Sequence, residues 1–295
     1  MQILNQEGHF KTKNGLRLFD QSWELNGERK AGVIIVHGYG EHSGRYHWLT
    51  KRLLSHGFSV YTYDHRGHGK SEGLRGYIPR HRYLLDDLGL FLDRVQGKEE
   101  NLFLLGQGTG ACALLYYALE RQLKAKGLIL CGAAIKLRHG VSWWKAALSR
   151  IMATVLPTLN MPGFLFKINP SHFTRNHAVG LDYRSDPFVY QGELRSRTGW
   201  ELIRSMRHIH RKMDAVRLPL LILHGEADNI SDPKGSRELY ERARTERKTL
   251  KLYAQASHEV FQDLDRERIF QDTLDWLNAQ LAPPKTVPKS KQKRA

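Results

Sequence analysis

Several common functional signals are missing from this sequence. It has two cysteines in 295 residues, Cys112 and Cys131. Both sit inside apolar runs, without metal-ligand or C-x-x-C spacing, so a disulfide framework, a zinc cluster and a dithiol redox site are unsupported and buried free thiols are expected. No uninterrupted apolar run reaches the ~20 residues that a spanning helix needs. Nor does the N-terminus show a basic segment followed by an apolar one, so neither a membrane span nor a secretory leader is expected. There is no internal repeat, no helix-turn-helix pattern, no zinc-finger spacing and no RNA-binding signature, which argues against a solenoid and against a nucleic-acid partner. Acidic residues are scarce, 30 Asp and Glu against 46 Lys and Arg, and the formal net charge is +16. Such an excess draws a protein toward anionic surfaces. A reducing cytoplasm is the expected compartment, with peripheral membrane contact as an addition.

Strand-like and helix-like runs alternate along the chain. "HFKTKNGLRLFDQSWEL" reads as a hairpin turning at Asn14-Gly15. "GVIIVHG" is a short β-branched run, and "RYHWLTKRLLSHG" a helix stopping at Gly57. "FSVYTYD", "NLFLL", "GLILCGA", "LPLLILHG" and "KTLKLYAQ" read as further strands separated by helical segments, and a last helix runs through "RIFQDTLDWLNAQL". This alternation predicts a mostly parallel sheet covered on both faces. Residues 138–200 break the rhythm with tryptophans, prolines and helical pieces, which predicts a helical lid over the carboxyl ends of the strands. The expected organisation is a core in two parts, 1–137 and 201–282, with a helical cap at 138–200. Residues 283–295, "PPKTVPKSKQKRA", are too basic and too poor in apolar residues to fold, and are expected to be a disordered tail, a solubilising end first and a weak dock on anionic lipid as the alternative.

The chemistry centres on "LFLLGQGTGACALLYYAL", residues 102–119. In the pattern G-x-S-x-G, a strand-to-helix turn carries a nucleophilic serine at its tip, followed in the chain by an acid and a histidine. Here the tip is Gly108. "LLILHGEADNISD" supplies Asp228 beyond one strand and "LYAQASHEVFQD" supplies His258 beyond the next. Oxyanion donors in such a site come from the residue after the nucleophile and from the loop after an earlier strand, which are Thr109 and Tyr39 here. His37 and His42 flank the glycine loop, with backbone hydrogen bonding preferred over a metal for His37. Trp143 and Trp144 either face acyl chains or fill the cap's own core. "GQGTGA" is only part of a dinucleotide fingerprint, and no acidic residue follows the next strand.

"HGYGEHSGRY", "YDHRGHGKSEG", "DPFVY", "HGEADNISDPKGSRELYERA" and "SHEVFQD" together resemble the monoacylglycerol lipase and lysophospholipase family of α/β-hydrolases, the serine aminopeptidase-like hydrolases. The resemblance runs from the first hairpin to the last helix. It implies an eight-stranded α/β-hydrolase fold, a helical cap over an acyl pocket, an acylglycerol or lysophospholipid-like ligand, Asp228 and His258 as triad partners, and no cofactor. It also implies a serine where Gly108 stands. Removing such a nucleophile costs on the order of 10⁶-fold in rate. Thr109 and Cys112 are poor substitutes, the first used through its backbone and the second set a helical turn deeper. The expectation is a family member that binds acyl ligands without normal serine-esterase turnover. Two alternatives stand beside it. One is an active carboxylic ester hydrolase, through an unorthodox nucleophile or a glycine introduced as a variant; the other is a membrane-surface interaction protein.

Overall fold

The structure, a computed structural model, describes residues 2–163 and 169–282. The expected tail, 283–295, lies outside them. Eight strands form one sheet: β1 (Ile3–Lys11), β2 (Arg17–Leu25), β3 (Ala31–Val36), β4 (Phe58–Tyr63), β5 (Leu102–Gln107), β6 (Gly127–Cys131), β7 (Leu220–Gly225) and β8 (Lys248–Tyr253). Their spatial order is β1-β2-β4-β3-β5-β6-β7-β8. The β1–β2 hairpin turns at Asn14-Gly15 as expected and joins β4 antiparallel, while every pairing from β4 to β8 is parallel.

The central strands β3 to β7 are buried at every position and mostly apolar, because both of their faces are covered. Alternate residues point to opposite sides. Ile34, Val36, Leu104, Leu128, Leu130 and Ile222 pack with side chains of α2 (His81–Gln96), α3 (Thr109–Glu120) and α6 (Ser196–Lys212). Val33, Ile35, Phe103, Leu105, Ile129 and Leu223 pack with α1 (His47–Ser55) and α8 (Arg266–Leu281). Each fully buried aliphatic side chain contributes about 1.5–3 kcal/mol of transfer free energy, which is why short strands suffice.

Between β6 and β7 the chain leaves the sheet for α4 (Trp143–Val155), α5 (His177–Ser185) and α6, and α7 (Pro233–Arg242) then links β7 to β8. Asn176 caps α5 through its side chain, and Asp232 caps α7 with Pro233 at the first helical position. The excursion is stitched to the body by "DPFVY". The N–H of Tyr190 donates to Gly40 C=O (2.8 Å), Arg75 donates to Phe188 C=O (2.8 Å), and His42 Nε2 bonds Asp186 (2.8 Å). For Trp143 and Trp144 the structure decides against one of the two sequence alternatives. They are 82% and 45% exposed, so they fill no core of the excursion; their helix spends its buried face on Ala146, Ser149 and Ala153.

Candidate active site

Gly108 alone separates β5 from α3. Its φ of 54° and ψ of −112° lie where a Cβ is strained, at about 1–3 kcal/mol. Its N–H donates to Cys131 C=O (2.8 Å), and its own C=O accepts from Cys112 (3.2 Å) and Ala134 (3.3 Å). The flanking glycines have a different reason. A Cβ on Gly106 would lie 2.6 Å from the Ala111 backbone, and one on Gly110 would collide with the carbonyls of Val36 and His37, so these two let α3 lie down on the sheet. At Gly108 a Cβ would meet the His258 ring, 3.0 Å from Nε2 and 3.5 Å from Cε1. The open position at the tip therefore faces a histidine nitrogen.

That histidine is fully supported on its other side. Its Nδ1 bonds Asp228 Oδ2 (2.8 Å), and the Gln107 side-chain amide donates to its carbonyl (2.9 Å). Asp228 Oδ1 accepts the N–H groups of Ile230 (2.7 Å) and Ser231 (2.9 Å), so the aspartate also closes the turn after β7. His224, which the sequence reading passed over, stands 3.2 Å from Asp228 Oδ2 through Nε2. Because Nε2 also faces the Ser231 carbonyl, an acceptor only, it carries the proton and donates, leaving Nδ1 to Ser236 Oγ (2.7 Å). Burial works against the Asp228 charge, but His258 and the bonds from His224 and His258 outweigh it and hold the carboxyl far below the usual range. Burial likewise opposes charge on His258; Asp228 first, then Glu259 and Glu41, overcome it and raise its pKa. Among the described residues no hydroxyl or thiol bonds His258 Nε2. Cys112 is buried, and burial pushes its thiol up to about 12, so it offers no thiolate at neutral pH.

Thr109 opens α3, so its N–H has no acceptor within the helix. Tyr39 lies in the loop after β3, where a Cβ on Gly38 would collide with Glu41 Oε1 and lie 3.4 Å from the Gln107 carbonyl oxygen; the Tyr39 hydroxyl donates to Gly76 C=O (3.1 Å). His37 bonds backbone on both sides, Nδ1 to Gly38 C=O (2.7 Å) and Nε2 accepting the His65 N–H (2.9 Å). His42 is paired with Asp186, and its Nδ1 accepts the Gly44 N–H. Among the described residues no group of three or more His, Cys, Asp or Glu is placed to hold a metal ion.

A buried charge cluster beside His258 went unseen in the sequence. Arg45 grips Glu259 with two bonds (2.8 and 2.7 Å), reaches Glu41 at 3.2 Å and stacks 4.7 Å over the Tyr183 ring. Glu41 also accepts from the Gly38 N–H (3.1 Å) and the Tyr46 hydroxyl (3.0 Å). Two carboxylates thus share one guanidinium, clamping the glycine loop to the His258 loop. Burial, and then the Glu259 charge, raise Glu41 to about 7.

Residues 27–265 match the family described as serine aminopeptidase, S33, among the hydrolases. The chain belongs to that family. Within the S33 hydrolases it is 30% identical to human monoglyceride lipase over 95% of this chain and 92% of that one. It is 27% identical to the monoacylglycerol lipase of Mycolicibacterium smegmatis, over 93% and 98%. The crystal structure of the Paleococcus ferrophilus monoacylglycerol lipase matches with a TM-score of 0.77 at 27% identity, over 95% of this chain and 100% of that one. A soluble variant of the Saccharomyces cerevisiae monoglyceride lipase, solved with a substrate analogue, shares the fold with a TM-score of 0.83 at 23% identity, over 95% and 96%. The S33 chain described here therefore has the α/β-hydrolase fold.

Proposed function

We propose that this S33 hydrolase relative binds acylglycerol-type ligands and does not form an acyl-enzyme. The observation that carries the reading is position 108, where the atom facing His258 Nε2 in a serine enzyme is missing with its entire side chain. In this reading Asp228 orients His258, the amides of Tyr39 and Thr109 hold the ester carbonyl oxygen, and residues 138–200 form a cap over the acyl chain. Monoacylglycerol is the favoured ligand because several relatives are named for it. Lysophospholipid is the next choice.

The test is a monoacylglycerol assay on purified chain, paired with calorimetric binding of a non-hydrolysable monoalkylglycerol ether. The reading expects saturable binding and a turnover far below the 1–10³ s⁻¹ typical of enzymes. Turnover in that ordinary range would refute it. A slower second activity is favoured by His258 Nε2 facing position 108: water there gives a proton to His258 and adds to the bound ester carbonyl, and the intermediate collapses by breaking the C–O bond to glycerol, whose oxygen takes that proton as the fatty acid is released. Sites of this kind keep roughly 10³–10⁴-fold over solution without their triad. His258→Ala should lower activity to that floor, which the oxyanion donors and binding supply, while sparing ether binding.

Membrane contact is a separate part of the proposal. Trp144, Ile151 and Val155 are exposed on one face of α4, with Trp143 beside them and Lys145 and Arg150 on the same helix. This pattern suits an anionic lipid surface, with the 283–295 segment adding charge. Among the described residues no helix is long and apolar enough to cross a membrane. Sedimentation with anionic liposomes should fall several-fold in Trp143→Ala/Ile151→Ala; unchanged sedimentation would count against it.

A further inference from the structure

We propose that a cleft between α6 and the start of α2 binds an anion carrying two or more phosphate groups. The cleft encloses about 510 Å³, and none of Tyr39, Gly108, Thr109, Asp228 or His258 lines it. Its walls carry six arginines, Arg80, Arg82, Arg197, Arg204, Arg207 and Arg211, against one glutamate, Glu201. Helical spacing explains the gathering: Arg197, Trp200, Arg204, Arg207 and Arg211 follow one another at three, four, three and four residues along one stripe of α6.

The charge is not neutralised from within. Glu201 is buried and spent on Arg204 (3.1 Å), Arg197 (3.4 Å) and the His81 N–H (3.0 Å). Arg82 reaches Asp86 only at 3.7 Å. Arg80, Arg207 and Arg211 make no ion pair among the described residues, and Glu120, the next carboxylate, is taken by Lys212 (2.6 Å) and His208 (2.7 Å). Guanidinium groups crowded in this way repel one another, and a multivalent anion relieves the repulsion while matching their planar forks.

The floor of the cleft is rigid and built. His81, Tyr116 and His208 form a ladder of rings, with centroids 4.5 and 4.2 Å apart, and Arg207 lies 5.9 Å over Trp200. His81 is 5% exposed, and its Nδ1 is buried without a hydrogen-bond partner among the described residues. Burial, with the positive fields of His208 and Arg204 behind it, pushes that histidine down to about 3, in keeping with a strongly positive site. Phosphate groups suit this lining better than a carboxylate ligand, because each offers several acceptors to forks arriving from two helices. The inference does not rest on the acyl-site reading.

The test is calorimetric titration of the full chain with inorganic tripolyphosphate. Saturable binding is expected, weakened roughly tenfold or more in the double variant Arg207→Ala/Arg211→Ala. Both side chains are exposed, so the variant should fold. The control, Lys11→Ala/Lys51→Ala, removes the same formal charge at exposed positions outside the cleft and should leave affinity unchanged. Phosphatidylcholine vesicles with a few per cent phosphoinositide separate the sources. Recruitment that tripolyphosphate displaces supports a lipid headgroup as the ligand, whereas tripolyphosphate binding without recruitment supports a free anion. Absence of saturable tripolyphosphate binding, or equal weakening by the two double variants, would overturn the proposal.

Discussion

The two sides of the candidate active site contrast sharply. On the acid–base side, Asp228 uses both oxygens, on His258, Ile230 and Ser231, with His224 close behind. On the nucleophile side the backbone is equally well bonded, through Cys131, Cys112 and Ala134, but the tip has no side chain. The turn therefore does not need its serine in order to form. Its shape comes from Gly106 and Gly110, which seat α3, and from backbone bonds, and a glycine at 108 adopts the same strained angles at no steric cost. Geometry and reactivity are separable here, and each can be perturbed alone.

The largest expected effect comes from supplying the absent group. Gly108→Ser should raise ester hydrolysis by several orders of magnitude, up to ~10⁶-fold, if the acid–base side is as complete as its bonding indicates. A short-chain ester assay checks this, and in that background Asp228→Asn should give back about 10⁴-fold. No gain from the serine would show that the two sides do not meet in a working geometry.

Next comes stability on the acid–base side. Asp228→Ala leaves two histidines facing a buried void and should cost about 3–5 kcal/mol in denaturant unfolding. Because the native Asp228 pKa lies below its unfolded value, its contribution is present above about pH 4 and lost as pH falls through the lower, folded value. The His258 shift has the opposite sign. Its contribution is full below about pH 6.5 and is lost as pH rises through the raised folded value.

Glu41 gives a third handle. Held near 7 against 4.5 when free, it binds a proton preferentially in the folded state, so its contribution is full below about pH 4.5 and fades as pH rises through about 7. Glu41→Gln should flatten the stability curve in that window, by up to about 1.4 kcal/mol per pH unit. An unchanged slope would mean that Arg45 neutralises both carboxylates. The smallest effect is expected at the tip itself. Gly108→Ala should cost about 1–3 kcal/mol by thermal unfolding, from backbone strain and the contact with His258 Nε2, and should add no activity.

Much of this arrangement was readable in the sequence. Buried parallel strands announce themselves as short runs such as "GVIIV" and "LLILHG", and the order Gly108, Asp228, His258 follows from where those runs end. What escaped were features that depend on distant segments meeting. Glu41, Arg45 and Glu259 sit in polar-looking segments and become a buried cluster only where the segment after β3 meets the one after β8, with β5, β6 and β7 between those strands in the sheet. The arginine stripe of α6 looks like a solvated face until Arg80 and Arg82 close over it. Trp143 and Trp144 show the reverse: the sequence left open whether they face acyl chains or fill the cap's core, and their exposure on α4 removes the second alternative.

The most direct measurement is intact-mass analysis after saturating exposure to a fluorophosphonate, on the native chain and on Gly108→Ser in parallel. The account predicts an unshifted mass for the native chain and one phosphonyl adduct, on Ser at position 108, for the variant. A stoichiometric adduct on the native chain, mapped to any residue of the site, would contradict it.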